Sequence, residues 1–363
     1  MNASPVTVGA RRRAALGAVG VAVLAVALVS IPTAPVQASS QTVDDVPVAG
    51  TFRYHAGQRD TRDDVVGVVH AVRRVPGGTA VYYSVGLTGS TTSDWLLTQP
   101  SANLDGYGPY DLRSVGVVDT TNLRYYRPMQ AGRTCLCSQT TDLQREARPR
   151  VLLTGFAVVP ELPADVRSVA VSFGFGAQVE DVPVEDGALT PTNGDGSTIT
   201  PLGAGWPALP DDSVIASVAS PDQYVLPLTR SVADLDRSLT TKEAPDHVEV
   251  DLAADVLFAV DKATLSDAAS ARLQQVAREI ADRGTGIVTI VGYTDSTGST
   301  SHNLTLSRAR AASVLKALKP LVGKPGITFT STGKGESEPV ADNGTDDGRR
   351  LNRRVTITFG VAR

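Results

Sequence analysis

Apolar positions change their period along the chain, and the change marks out its parts. Over residues 43–185 the apolar residues come in short runs, at 65–72, 79–87, 112–118, 151–159 and 166–175. These runs are rich in Val, Thr, Tyr and Phe, with Gly, Pro and Asp in the gaps between them. No stretch there carries a helical period. The pattern predicts an antiparallel β-sandwich, immunoglobulin-like in outline, although the Cys and Trp spacing of true immunoglobulin domains is missing. Tyr82-Tyr83 and Tyr125-Tyr126 fit strand cores better than a binding surface.

Residues 186–245 are read as a linker of uncertain extent. The stretch 190–210 is rich in Pro, Gly and Thr with few apolar positions to bury, and 211–245 either completes the first domain or leads into the second. Over 246–362 strand-like runs alternate with helical ones, the signature of an α/β layer fold. Strands are expected at 248–252, 287–291, 327–331 and 355–359. Leu265, Ala269, Leu273, Val276 and Ile280 mark one amphipathic helix, with Thr264 and Asp267 in capping-box spacing at its start. A second helix is expected over 301–319, with Leu304, Ala311, Leu315 and Leu318 as its buried stripe and Pro320 just beyond it.

The N-terminus adds an address. Arg11-Arg12-Arg13 precedes an unbroken apolar or small-residue run over 14–31, then Pro32, Pro35 and the small-residue site Val36-Gln37-Ala38. This is the order of a secretory signal over residues 1–38, so an exported, cell-envelope protein is expected. An uncleaved membrane anchor is the alternative, because 18 apolar residues approach a membrane span. The chain has 363 residues, 42% hydrophobic and 20% charged, which suits two folded domains. Its net charge of −4 becomes about −7 once three Arg and no acid leave with the signal, a poor balance for nucleic acid. The only cysteines, Cys135 and Cys137, read as two thiols or a local disulfide in a turn rather than as a redox site.

The chemistry gathers in the second part. Gly292-Tyr293-Thr294-Asp295 follows a strand directly, and the turn 296–300 leads into the second helix. On that helix Asn303, Ser307 and Arg310 are spaced by four and three, which sets them on one face, largely opposite the apolar stripe. Asp295 and Arg310 then suit a ligand that carries both an ammonium and a carboxylate: the acid accepts from the first, and the guanidinium grips the second in a two-pronged contact. A structural salt bridge is the plainer reading of the same pair.

The stretches VLFAVDKATL (256–265), VGYTDSTGS (291–299), NLTLSRARAASV (303–314), GKGESEPVADN (333–343) and GRRLNRRVTI (348–357) resemble, in order and spacing, the C-terminal domain of the OmpA family of peptidoglycan-associated proteins. That resemblance covers about a third of the chain. It implies a mixed sheet with helices on one face, and a domain that holds the diaminopimelate of the peptidoglycan stem peptide without a cofactor or a metal. It assigns the grip to Asp295 and Arg310, the pocket lining to Thr297 and Asn303, and its support to Asn352 and Arg353. Tyr293 and Ala259 depart from the family pattern, where many members have His and Asp.

Rival functions find less in the sequence. His55, His70, His247 and His302 are scattered, and no metalloprotease motif, serine elbow or Cys-His pair appears, so a wall hydrolase has nothing to single out and no enzyme is expected. His302 is expected to be an exposed polar side chain. A motor stator needs an acid in its membrane helix, and 14–31 has none. An N-terminal module that binds an unknown protein or glycan while the C-terminal domain moors it to the wall agrees with the main reading. In general appearance that module resembles small exported β-sandwiches of actinobacterial wall proteins, with no specific motif.

Overall fold

The structure, a computed structural model, describes residues 46–55, 64–88, 115–173 and 177–362. The predicted signal segment, the first half of the 112–118 run and the side chain of His55 lie outside the described residues.

The first part is built from strands β1 (Gly50–His55), β2 (Asp64–Val75), β3 (Gly78–Leu87), β4 (Val115–Asp119), β5 (Arg124–Tyr126), β6 (Gln130–Ala131) and β7 (Thr134–Cys135). Helix α1 (Thr140–Glu146) follows, then β8 (Leu153–Val159), β9 (Ser168–Phe173), β10 (Gln178–Asp186), β11 (Thr200–Pro201), helix α2 (Asp212–Ala216) and β12 (Val225–Pro227). This part is as rich in strands as expected, but its strands do not confirm an immunoglobulin-like sandwich. They make one continuous, curled sheet in the order β11-β8-β3-β2-β10-β9-β4-β5-β12, with β1 also on β2. The join is the parallel pair β2–β10. Both faces of β3 are buried, which explains why its sequence reads as a nearly unbroken apolar run. Tyr83, Val117, Val171 and Phe173 pack on one side, and Tyr82, Phe156, Ile215 and Trp206 on the other. Cys135 and Cys137 are joined as a disulfide, and Cys137 bridges to Ala157 of β8.

The expected linker is folded. Ile199, Thr200 and Trp206 are buried, β11 pairs with β8, and the Trp206 indole lies edge-on to the rings of Tyr82 and His70. His70 is itself buried at a bulge in β2, with Nδ1 2.7 Å from Pro47 O and Nε2 2.7 Å from Ser84 Oγ. A few large apolar side chains, irregularly spaced among Pro and Gly, are enough to hold 190–210 down, and no periodicity announces them.

The second part comprises β13 (Arg230–Ala233), β14 (Leu239–Glu243), β15 (His247–Ala253), α3 (Ala254–Leu257), α4 (Asp267–Arg283), β16 (Gly284–Tyr293), α5 (Thr300–Val322), β17 (Thr328–Gly335), α6 (Asp346–Asn352) and β18 (Arg354–Val361). The sheet is mixed, in the order β13-β14-β15-β18-β16-β17, with β16 and β17 parallel. Leu273, Val276 and Ile280 of α4 and Val314 and Leu318 of α5 pack against Val250, Leu252, Ile290, Ile357 and Phe359 of the sheet. Between the two sheets the chain passes from Pro227 to Arg230, so the uncertain stretch 211–245 divides: β12 joins the first sheet, β13 and β14 the second. Glu243 of β14, 5% exposed, holds the guanidinium groups of both Arg230 and Arg283.

Two helix ends differ from expectation. Ser266 caps α4 by accepting from Ala269 N at 3.2 Å while donating to Val256 O at 2.8 Å, so the Thr264–Asp267 capping box does not form. Helix α5 continues through Pro320 to the buried Val322 and closes on Gly323 in the left-handed conformation (φ +55°).

Candidate functional site

Asn303, Ser307 and Arg310 are buried, and they continue the line of Ala311, Val314, Leu318 and Val322 on the inner face of α5. The expectation that they lie opposite the apolar stripe is wrong. At 100° per residue the polar set and the expected stripe stand only about 90° apart, and the buried face runs between them. Leu304 and Leu315 are correspondingly half-buried.

Helix α5 can press its polar half onto the sheet because the strands beneath it lack side chains. A Cβ on Gly292 of β16 would lie 2.2 Å from Ser307 O, and one on Gly333 of β17 would lie 2.2 Å from Arg308 N. Ser307 Oγ donates to Leu304 O and accepts from Gly335 N at 2.9 Å. This close seat places the N-terminus of α5, capped by Ser299, directly beside the loop that leaves β16.

That loop carries Asp295, 7% exposed. Its Oδ1 accepts from Thr297 N at 2.9 Å and its Oδ2 from Arg353 Nη1 at 2.8 Å. Burial pushes the carboxyl up, but the Arg353 and Thr297 donors together outweigh this and hold it below the usual carboxylate range. Asn303 donates to Asp295 O at 3.3 Å and to Glu336 Oε2 at 2.7 Å, tying the helix start to the loop. Arg353 reaches back with Nε and Nη2 to both carboxylate oxygens of Asp255, at 3.1 and 2.8 Å, and so it is raised well above the ordinary arginine value.

Arg310 is only 4% exposed. Its Nε donates to Lys262 O at 3.0 Å, and its guanidinium lies 5.2 Å from the centre of the Phe258 ring. Both contacts come from the segment between α3 and α4. Among the described residues the two terminal nitrogens of Arg310 make no hydrogen bond. Burial pushes its guanidinium down, while Asp255, Asp261 and Asp295 pull it back, and it stays a cation. The plainer salt-bridge reading does not describe the pair: the cation that Asp295 binds directly is Arg353.

Asn352, fully buried, spends its amide on the loop that flanks the site. Its Oδ1 accepts from Val340 N and Ala341 N at 2.8 and 3.0 Å, and its Nδ2 donates to Ala341 O and Asn343 Oδ1 at 2.9 and 2.8 Å. Asn343 Oδ1 in turn accepts from Ser296 N at 3.4 Å, one residue beyond Asp295. His302 is exposed, with Nε2 2.8 Å from Asp261 Oδ1. Asp255 and Glu336 were missed by sequence reasoning. Asp255 stands one residue outside the first matched stretch, and Glu336, within GKGESEPVADN, is one acid among 38.

The comparisons bear on this second part. The model of the OmpA family matches residues 257–353. The chain is 40% identical over 116 residues to Outer membrane protein A of Bordetella avium, a match that covers 32% of this chain and 59% of that protein. It is 38% identical over 101 residues to Outer membrane porin F of Pseudomonas aeruginosa, covering 28% and 29%. The matches thus span less than two thirds of these relatives. Among solved structures it is similar to the cell wall anchor of the T6SS from Pseudomonas aeruginosa (32% identity, 34% of this chain and 89% of that one, TM-score 0.32). It is likewise similar to the peptidoglycan-associated lipoprotein from Burkholderia pseudomallei (30% identity, 29% and 87%, TM-score 0.25). Residues 257–353 of this chain form an OmpA family domain.

Proposed function

We propose that this is an exported cell-envelope protein that binds peptidoglycan noncovalently through its OmpA family domain, mooring the curled N-terminal sheet to the wall. The ligand is the stem peptide at its diaminopimelate, whose side-chain end bears both an ammonium and a carboxylate. Asp295 accepts from the ammonium, Arg310 grips the carboxylate, Thr297 and Asn303 shape the pocket, and Arg353 and Asn352 hold its walls. The work is binding, not catalysis.

One observation carries this reading. Arg310 is buried and oriented by Lys262 O and the Phe258 ring, yet its two terminal nitrogens meet no acceptor among the described residues. A buried cation with idle, converging donors is costly unless a ligand anion completes it. The relatives named for an outer membrane support an envelope location.

Cosedimentation with diaminopimelate-containing peptidoglycan tests it. Arg310→Ala is expected to weaken binding about 20-fold, on the order of 2 kcal/mol for a charge-assisted contact. Arg310→Lys, which keeps the charge but cannot offer two parallel donors, should recover little of the loss. Equal pelleting of the folded variants and the parent would refute the assignment.

The pH dependence follows from Asp295. Its depressed pKa means that the carboxylate persists as pH falls through the ordinary aspartate value, about 3.9, so binding holds there and is lost only at lower pH, when Asp295 protonates. Loss of binding already between about pH 5 and 7, with the fold intact by circular dichroism, would point to a histidine and not to Asp295.

A further inference from the structure

The opposite face of the mixed sheet, away from α4 and α5, holds a second cluster of cations that the peptidoglycan reading does not use. A cleft of about 390 Å³ opens there between β13, β14 and β15 on one side and the segment around Val340 and α6 on the other. Arg237, Lys242, Arg350 and Arg354 all line it, against the single carboxylate of Asp251.

That carboxylate is already neutralised. Asp251 Oδ1 accepts from Thr356 Oγ1 at 2.5 Å, and its Oδ2 accepts from Lys242 Nζ at 3.1 Å. Lys242 also donates to Glu249 at 2.7 Å, so it too is satisfied. The three arginines are not. Arg350 spends only Nη1, on Asp236 O at 2.9 Å. Arg237 is exposed and makes no side-chain hydrogen bond among the described residues.

Arg354 is the decisive member. It is 8% exposed, its guanidinium stacked 3.8 Å from the centre of the Tyr293 ring, and only Nη2 makes a hydrogen bond, to Glu338 O at 3.3 Å. Its Nε and Nη1 are buried without a hydrogen-bond partner, and Nε forms only a long ion pair with Asp251 Oδ1, at 3.7 Å. Buried donors without hydrogen bonds are rare and costly, and guanidinium groups that line one cleft suit the charge and geometry of a phosphate.

We propose that this cleft is an oxyanion site that takes a phosphate group, either the free ion or a phosphodiester of an anionic wall polymer. It is separate from the Asp295 and Arg310 site: adjacent residues Arg353 and Arg354 turn to different partners, one to Asp295 and Asp255, the other to Tyr293 and Glu338. The bound group would be held directly by Arg237 and Arg350, with the buried Arg354 guanidinium adding its positive charge to the cleft.

The test uses the whole chain, isotope-labelled, titrated with inorganic phosphate and separately with poly(glycerol phosphate), and followed by amide chemical shifts and calorimetry. Saturable shifts are expected at Arg237, Arg350 and Arg354, with affinity that falls as salt is raised. The double variant Arg237→Gln/Arg350→Gln alters solvent-accessible side chains, so its fold should persist, and it should weaken binding at least about tenfold, while Arg310→Ala leaves it unchanged. Saturation by inorganic phosphate identifies a free-ion site, and saturation by the polymer alone identifies the wall polymer. The proposal is overturned if neither probe saturates, if the double variant binds as the parent does, or if the shifts fall only around Asp295.

Discussion

Gly292→Ala is expected to destabilise the OmpA family domain by about 3 kcal/mol, at the upper end of the cost of overfilling a packed interior. The new methyl group would sit 2.2 Å from Ser307 O and 3.0 Å from Ser307 C. Both are backbone atoms of α5, so no side-chain rotation relieves the clash and the helix itself must lift from β16. Since Arg310 rides on that helix, peptidoglycan binding should fall together with stability. Urea unfolding measures the first and cosedimentation the second. The exposed Gly286→Ala change, where no atom lies within 4 Å but φ is +70°, is a control with strain and without a clash. If Gly292→Ala unfolds within about 0.5 kcal/mol of the parent, the size of an ordinary surface change, the close seat of α5 on the strand is not what fixes the site.

Asn352→Ala should cost a similar amount, about 3 kcal/mol, by a different route. Four hydrogen bonds leave at once, and Val340 N and Ala341 N lose their acceptor in a place the Asn352 side chain fills completely. Asn352→Asp separates the two halves of the role. A carboxylate still accepts from Val340 N and Ala341 N, but it turns negative charge on Ala341 O and Asn343 Oδ1, where the amide had donated. It should therefore fail to rescue the alanine variant at neutral pH. Because Asn343 also receives Ser296 N, the loosened loop should broaden amide resonances around Asp295 even in folded protein. Sharp, unshifted resonances there would show that Asn352 supports only its own loop.

How much the sequence disclosed depended on what carried the information. Strands and helices of the second part were legible because their apolar residues recur at regular spacing, and five matched stretches pointed to the candidate site. Part of what hid from that reading was burial without apolarity. Asn303, Ser307 and Arg310 belong to the inner face of α5, but their polarity argued for the outside. Only the glycines at 292 and 333, which let the helix backbone approach, show why polar side chains occupy the core side there. The stretch 190–210 hid for the converse reason: Trp206 and Ile199 are buried by a sheet whose register no local pattern reveals. The sandwich expectation is left unconfirmed at the level of topology, since strand-rich composition cannot say that β2 and β10 pair in parallel and join these strands into one sheet.

The crossing between the two sheets has a mechanical consequence. Leu228 N is still bonded to Leu123 O of the first part, and Arg230 is already paired with Glu243 of the second, so Thr229 alone lies between. Such a tether has no slack to absorb a pull. If the wall holds one part while something tugs the other, tension enters the second sheet at the Arg230 end of its edge strand, the direction that unzips ladder bonds one at a time. The first rung to be loaded is the one where Glu243 is grasped by Arg230 and, from α4, by Arg283. That doubly held carboxylate is a clasp at the point where peeling would begin.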